Sequence, residues 1–578
     1  MITNSHRARR RVLFVMVLLA GLVWLAIGAW QLMQAGSDLR RGGDALQRLR
    51  RDATISTVAD PSTTSRLDEA DGHLDSARHR LRSVFVTPLR VLPVLGRQVR
   101  AADRVRSTTA TATDITRDAV NGIRELRGRS SRSGPERVTL VRDLNALVRR
   151  ARQRLEGLDP GSSRALVGSL HDAVEKLHSE RGDALDGLAR AERVTAAVAD
   201  LLDGPGHYLL LGANNAEMRA GSGMFLSAAP LSVRAGAFDM GDVRPVADLV
   251  LPPGAVRAEG DMARNWKWLD VGRDPRQLGL SPDFPQSAAI ARNWWAAVPG
   301  GGEVDGVISV DVGALRELLG VVGPVTVDGV VYDADTVAGQ LLRAQYRRAG
   351  DDVAATEARR DSVGDVASAV FRKIEAGGWD LDDMAGALVR SAERRHLLVW
   401  SATPGPQRAW VDAGVGGRLS QDTLSVAMLN RGAEKLDPYL EVTTKVTTSG
   451  RRMDIVYSVT NRAPADGPRY QLGPNIEGMK AGEHRGIVVV NLPAGTTDVE
   501  MTGANLVLRG DDGPTTVVAG ELSIERGATA KVQVTALLPR GIDRLVLEPA
   551  ARMPSMTWVV DGRSFRIDRR RSVAVLGH

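Results

Sequence analysis

The sequence predicts a multidomain chain: an N-terminal transmembrane helix, an α-helical bundle or stalk, a central α/β domain and a C-terminal β-sandwich. Three observations carry this expectation. Residues 12–30 form an unbroken apolar run, long enough as a helix to span a bilayer. Between 38 and 204 apolar residues recur every three or four positions, the period of a helix face. Beyond 205 strand-like runs alternate with helices, and from 401 they follow one another between Gly, Pro and Asp turns.

The segments are read in order. Residues 1–11 are a basic tail with Arg7, Arg9, Arg10 and Arg11, expected to be cytoplasmic. The anchor is placed at 12–33, with Trp24 and Trp30 toward its outer half. A cleaved signal peptide is the rival, but its apolar core would be shorter and the sequence shows no convincing small-residue cleavage site. The expected location is the plasma membrane, single-pass, with the bulk of the chain extracytoplasmic. In the helical segment 38–204, Leu67, Ala70, Leu74, Ala77, Leu81 and Val84 form a narrow seam. Pro88 and Pro93 break it, and a second helix is expected over 97–126. Pro135 suits a first helical position, and Val138, Val141, Leu144, Val148, Ala151 and Leu155 mark one face. Asp159, Pro160 and Gly161 make a turn. The last helix is expected over 166–202 with a defect at Gly182. Plain helix packing accounts for these stripes better than a cofactor box does.

The α/β domain is placed at 205–400. It opens with Leu209, Leu210, Leu211 and Gly212, a short buried strand that enters a polar loop, Asn214, Asn215, Ala216, Glu217, Met218 and Arg219. Runs 224–227 and 231–234 resemble a hairpin. Ser281 to Pro285 is a rigid turn before a helix over 287–295, and 304–311 is a buried strand ending in the carboxylate of Asp311. Arg359 and Arg360 open a helix reaching Ile374. In the β-sandwich, 401–578, the strands are 440–446, 453–459, 487–492, 515–524, 530–538 and 545–547.

Composition narrows the chemistry. Charged residues at 25% and hydrophobic residues at 43% exclude wholesale disorder. The net charge of +7 comes from arginines spread along the chain, not from a concentrated basic patch. With aromatic content of only 4%, stacking platforms are also lacking, so no nucleic-acid partner is expected. The absence of cysteine excludes disulfides, thiolate metal sites and a Cys nucleophile. No phosphate-binding glycine loop, nucleophile elbow or His pair at metal-ligand spacing is present, so catalytic residues and protein metal ligands are left unassigned. Ser222 reads as a small turn residue. What remains is an arginine set with a few carboxylates: guanidinium forks bind phosphate oxygens, and carboxylates hold Mg²⁺. The plainer reading of Asn214, Asn215, Glu217 and Arg219 is that they cap the loop after the strand.

The stretches 208–211, 214–219, 281–285, 304–308 and 323–325, together with Tyr346, resemble the domain-of-unknown-function 4012 family, membrane-anchored proteins found largely in actinobacteria. The similarity runs over most of 84–578, including 437–461. Residues 205–375 also resemble, distantly, the LytR-CpsA-Psr domain, which transfers glycopolymers from a polyprenyl-pyrophosphate carrier to the cell wall. That resemblance implies pyrophosphate-gripping roles for Arg219, Arg244, Arg347, Arg359 and Arg360; Asn214, Asn215, Glu217 and Asp311 are candidate supporting polar groups read from the residues themselves. The family's metal-binding Asp positions are not matched: Arg219 is followed by Ala220, Gly221 and Ser222. Mg²⁺ is the cofactor this resemblance implies, and the mismatch sets it in question. Two functions follow as expectations. One is an extracytoplasmic envelope protein that binds, and in its enzymatic form transfers, a polyprenyl-(pyro)phosphate-linked glycopolymer. The other is a non-catalytic scaffold or assembly partner in envelope polysaccharide biogenesis or export, working with envelope protein partners.

Overall fold

The computed structural model describes residues 24, 27–45, 48, 61–127, 129, 133–350, 362–566 and 569–575. The chain divides into two compact units, residues 1–129 with 140–195, and residues 130–139 with 196–578. Among the described residues no helix is long and apolar enough to cross a membrane, which corrects the transmembrane helix of the expected fold class. Residues 27–45 are helical but carry Asp38, Arg40, Arg41 and Asp44, charges that hydrocarbon does not accommodate cheaply. The rest of the expected span and the tail 1–11 lie almost wholly outside the described residues.

The first unit is helical. Helix α1 (Pro61–Leu81) buries Leu67, Ala70, Leu74, Ala77 and Leu81. Val84, expected to continue this seam, lies beyond the helix end and is exposed, because the chain turns into a short 3₁₀ segment at Thr87–Val91 with Pro88 in its first turn. Helix α2 (Leu95–Arg127) follows, then α3 (Gly134–Glu156) with Pro135 in its first turn, and α4 (Gly168–Asp203). Gly182 makes no defect in α4. It faces open space, so its only cost is backbone entropy of about 1 kcal/mol. Buried Asp38 accepts a hydrogen bond from Arg80 Nε at 2.9 Å, fastening residues 27–45 to α1.

The second unit holds a mixed sheet and a pair of larger sheets. In the mixed sheet β1 (Gly206–Met218) pairs antiparallel with β2 (Gly223–Arg234) and parallel with β5 (Gly306–Asp311). β3 (Ala237–Met240) and the two-residue β4 (Arg244–Pro245) extend the β2 edge, and β8 (Leu397–Ser401) pairs with β5. Runs 224–227 and 231–234 are thus one strand, whose hairpin partners are β1 and β3. Helices α5 (Phe284–Ala297), α6 (Val312–Val322), α7 (Ser362–Ala376) and α8 (Leu381–Glu393) accompany this sheet, with a small hairpin of β6 (Val325–Val327) and β7 (Val330–Tyr332).

Two six-stranded sheets complete the unit. One is ordered β13 (Thr497–Thr502), β16 (Thr529–Leu537), β11 (Arg452–Asn461), β10 (Leu440–Ser449), β18 (Thr557–Val560), β19 (Arg563–Arg566). The other is ordered β14 (Asn505–Asp512), β15 (Thr515–Ile524), β12 (His484–Leu492), β9 (Thr423–Asn430), β17 (Arg544–Glu548), β20 (Arg571–Ala574). Val446, Ile455 and Tyr457 of the first share one apolar core with Val426, Val488 and Val518 of the second. That core continues through Leu209, Phe225, Trp294 and Val307, so the mixed sheet and the paired sheets are packed as one body.

Candidate functional site

The polar stretch after Gly212 is not a loop. β1 runs on to Met218 through register shifts at Gly212/Ala213 and between Asn214 and Met218. Such bulges re-aim side chains without ending a strand. Here they set Asn214, Asn215, Glu217 and Arg219 into the interior, all 5% exposed or less. Buried polar groups need partners, and each of these finds them. Asn214 Nδ2 donates to Tyr346 Oη at 3.0 Å, and its Oδ1 accepts from Ala216 N at 2.8 Å. Burial pushes the Tyr346 phenol up to about 12, so it stays neutral. Asn215 Nδ2 donates to Asp311 Oδ2 and to Ala551 O, both at 2.8 Å, and its Oδ1 accepts from Val312 N at 3.2 Å.

Asp311 ends β5 and caps α6. Its Oδ1 accepts from Gly313 N at 2.8 Å and Ala314 N at 3.1 Å, a helix N-cap arrangement. Its Oδ2 lies 2.8 Å from His396 Nδ1. A carboxylate only accepts, so Nδ1 carries the hydrogen, leaving Nε2 as the imidazole's remaining polar atom.

Glu217 forms a buried ion pair with Lys435, which also lies 4.6 Å from the Tyr470 ring centre. Burial works to lower the Lys435 ammonium, but the facing Glu217 carboxylate outweighs it and holds the lysine above its ordinary value. Arg219 donates from Nε to Arg276 O at 3.1 Å and from Nη1 to Met218 O and Asn430 O at 3.1 and 3.2 Å. Its Nη2 approaches Met224 Sδ at 3.0 Å. Burial pulls this guanidinium below its usual value, with Glu217 opposing. Asp437 completes the cluster: Oδ2 accepts from Met218 N and Asn430 Nδ2 at 3.1 and 2.9 Å, and Oδ1 lies 3.5 Å from Arg552 Nη1. Lys435, Asp437, Asn430 and Arg552 all belong to the segments that build the paired sheets. The end of β1 is therefore a polar seam between these sheets and the mixed sheet.

A second seam starts at Ser281 to Pro285. Ser281 Oγ donates to Asp512 Oδ1 at 2.6 Å, and Gln286 Nε2 donates to the same oxygen at 2.9 Å. Asn491 Nδ2 holds Asp512 Oδ2 at 2.9 Å. Asp283 Oδ1 accepts from Leu419 N at 3.0 Å. Burial pushes Asp283 up to about 6, against the Leu419 N–H, with the Asp512 charge adding to the rise. Burial raises Asp512 as well, against its bonds from Ser281 and Asn491.

The expected arginines do not share one setting. Arg219 is enclosed by protein carbonyls. Arg244 is partly exposed, donating to Pro299 O at 2.9 Å with its guanidinium 6.0 Å from the Trp295 ring centre. Arg347 is exposed on the helix that ends at Ala349. Arg359 and Arg360 lie outside the described residues. Sequence reasoning missed Lys435, Asp437, His396, Asp512 and Arg552 as partners. Only the family-like stretch 437–461 pointed toward one of them. Among the described residues no group of three or more His, Asp or Glu is placed to hold a metal ion.

No curated protein and no solved structure matches the chain. Residues 203–346 span β1 with its polar seam, the Ser281 to Pro285 turn and Tyr346. They match the family model described as Protein of unknown function (DUF4012).

Proposed function

We propose that this protein is a non-catalytic scaffold or assembly partner in envelope polysaccharide biogenesis or export. The observation that carries the reading is the burial of Asn214, Asn215, Glu217 and Arg219 against protein partners. Residues held this way join two layers of one body. A group that grips a departing phosphate must instead meet substrate with unengaged donors. The envelope setting comes from the family resemblance. The test is a transfer assay with the full chain, a polyprenyl-pyrophosphate-linked glycan, Mg²⁺ and a cell-wall acceptor. The expected result is no product above the protein-free control. Turnover that Arg219→Lys abolishes while the thermal midpoint holds would overturn the reading.

One observation favours the alternative, carriage of a polyprenyl-(pyro)phosphate-linked glycopolymer in the manner of the LytR-CpsA-Psr domain. The helical unit has a half-open cavity of about 780 Å³, walled by Leu39, Leu81, Val99, Val105, Leu170 and Leu177, with Asp44, Lys176 and Glu180 among its charged lining. Its size is that of a ligand site, and its wall suits a lipid chain. Native mass spectrometry of the full chain with a polyprenyl pyrophosphate tests this. Retention lost on Ala102→Trp, a change that fills the cavity, supports carriage. Unchanged retention removes it.

A further inference from the structure

We propose that a second cavity, of about 240 Å³, binds an oxyanion of the phosphate or pyrophosphate class. It is lined by Arg316, Arg394, His396, Arg552, Ser555 and Arg566, with no carboxylate in its wall.

The charge around the cavity favours an anion. Arg316, Arg394 and Arg390 all turn to one carboxylate, Glu317, at 3.0, 3.1 and 2.7 Å. Arg552 faces Asp437 at 3.5 Å, and Arg566 is exposed with no ion pair among the described residues. Four of these guanidinium groups line the cavity, with Glu317 and Asp437 facing them and Asp311 behind His396. A cavity lined by one sign of charge concentrates the opposite ion. Guanidinium forks match the oxygens of a phosphate in geometry as well as charge.

One buried donor in the wall has no partner among the described residues. Arg552 is 6% exposed, and its Nε–H makes no hydrogen bond. Leaving such a group unpaired costs about 1–3 kcal/mol or more; the Nε–H is itself closed to solvent, so an anion engages it only when the Arg552 side chain turns toward the cavity it lines.

Two of the lining side chains are held in place from behind. Asn215 holds Asp311, Asp311 holds His396 Nδ1, and His396 lines the cavity. Asp437 is fixed by Met218 N and Asn430, its own carbonyl accepts from Arg552 Nη2 at 3.0 Å, and Arg552 lines the cavity. The seam at the end of β1 therefore positions two of the lining side chains. Groups fixed in advance lose little entropy when the ligand arrives. The volume is below the roughly 300–1,000 Å³ of drug-sized ligand sites. An inorganic anion or a terminal head group enters, not a sugar chain.

The chemistry is shared by free pyrophosphate and by the head of a lipid pyrophosphate, so the experiment has two arms. Isothermal titration calorimetry on the full chain uses inorganic pyrophosphate in one and a short-chain prenyl pyrophosphate in detergent in the other. Saturable binding is expected, weakened about tenfold by Arg566→Ala and unaffected by Arg347→Ala. Arg566 is exposed, so its replacement leaves the fold intact, and an unchanged thermal midpoint checks this. Equal affinity in the two arms assigns the site to the free anion, and preference for the prenyl form assigns it to a lipid head. Absence of saturation at millimolar pyrophosphate, or binding that Arg566→Ala and Arg316→Ala leave unchanged, overturns the proposal. Binding without turnover leaves the scaffold reading intact, and turnover without binding at these arginines removes that reading alone.

Discussion

The two polar seams in the larger unit join the same layers by opposite electrostatic means. At the end of β1, charges are matched: Glu217 meets Lys435, and Asp437 meets Arg552. At Ser281 to Pro285, two carboxylates lie close enough to oppose each other's ionisation, and neutral donors hold them: Ser281, Gln286, Asn491 and the Leu419 N–H. Matched charges resist titration but punish the loss of one partner. Crowded carboxylates tolerate substitution by amide but respond to pH. The first seam should therefore be broken by mutation and the second by a rise in pH from about 4 to about 6.

The largest effect is expected from Lys435→Met. It strands the Glu217 carboxylate in the interior, which costs about 3–5 kcal/mol. Urea denaturation should show it, and adding Glu217→Gln should recover part of the loss. If the single change costs less than about 1 kcal/mol, the pair does not hold the layers together and the comparison fails.

The next effect is in pH. Asp283 rises from 3.8 toward about 6 in the folded chain. Between these values the native state binds more protons than the unfolded one, so stability falls as pH climbs from about 4 to about 6. A shift of this size corresponds to on the order of 3 kcal/mol across the window. Asp283→Asn should flatten the slope of thermal midpoint against pH over that range, relative to the native sequence. An identical slope in both proteins would place the titrating group elsewhere.

A smaller loss is expected from Asp311→Ala. It removes the cap of α6 and the anchor of His396, a cost of about 1–2 kcal/mol. The seam comparison sharpens if the same change also weakens pyrophosphate binding, since His396 would lose its orientation. Arg347→Ala is expected to do least. The side chain is exposed, and its removal should shift stability by no more than about 0.5 kcal/mol.

Much of the architecture was legible in the sequence. The alternation through 440–446 became β10, whose residues are buried and exposed in strict turn. The run at 453–459 became β11, because period-two patterning survives whatever the strand packs against, and the run at 515–524 became β15, whose centre is buried on both faces. Strand β9 escaped notice for the opposite reason. All its residues are buried, so it shows no alternation. The end of β1 reads as a loop in the sequence because Gly212, Asn214 and Asn215 are turn residues by local preference and charged Glu217 and Arg219 follow them. Their burial in and just after the strand rests on partners more than 90 residues away, at Asp311, Asn430 and Lys435.

The sequence by itself determined the order of helix-rich and strand-rich segments, the seam of α1 and the absence of cysteine chemistry. Those properties follow from local periodicity and residue identity, which need no knowledge of distant contacts. Only the tertiary structure decided what the polar residues do. Arg219 has the same guanidinium whether it faces a phosphate or a ring of carbonyls, and the fold chose the carbonyls. The arginines that do line a cavity, Arg316, Arg394, Arg552 and Arg566, come from four separated stretches of chain. No spacing rule links them, because the packing of the α6 and α8 region against the loop before β18 is what brings their charges to one place.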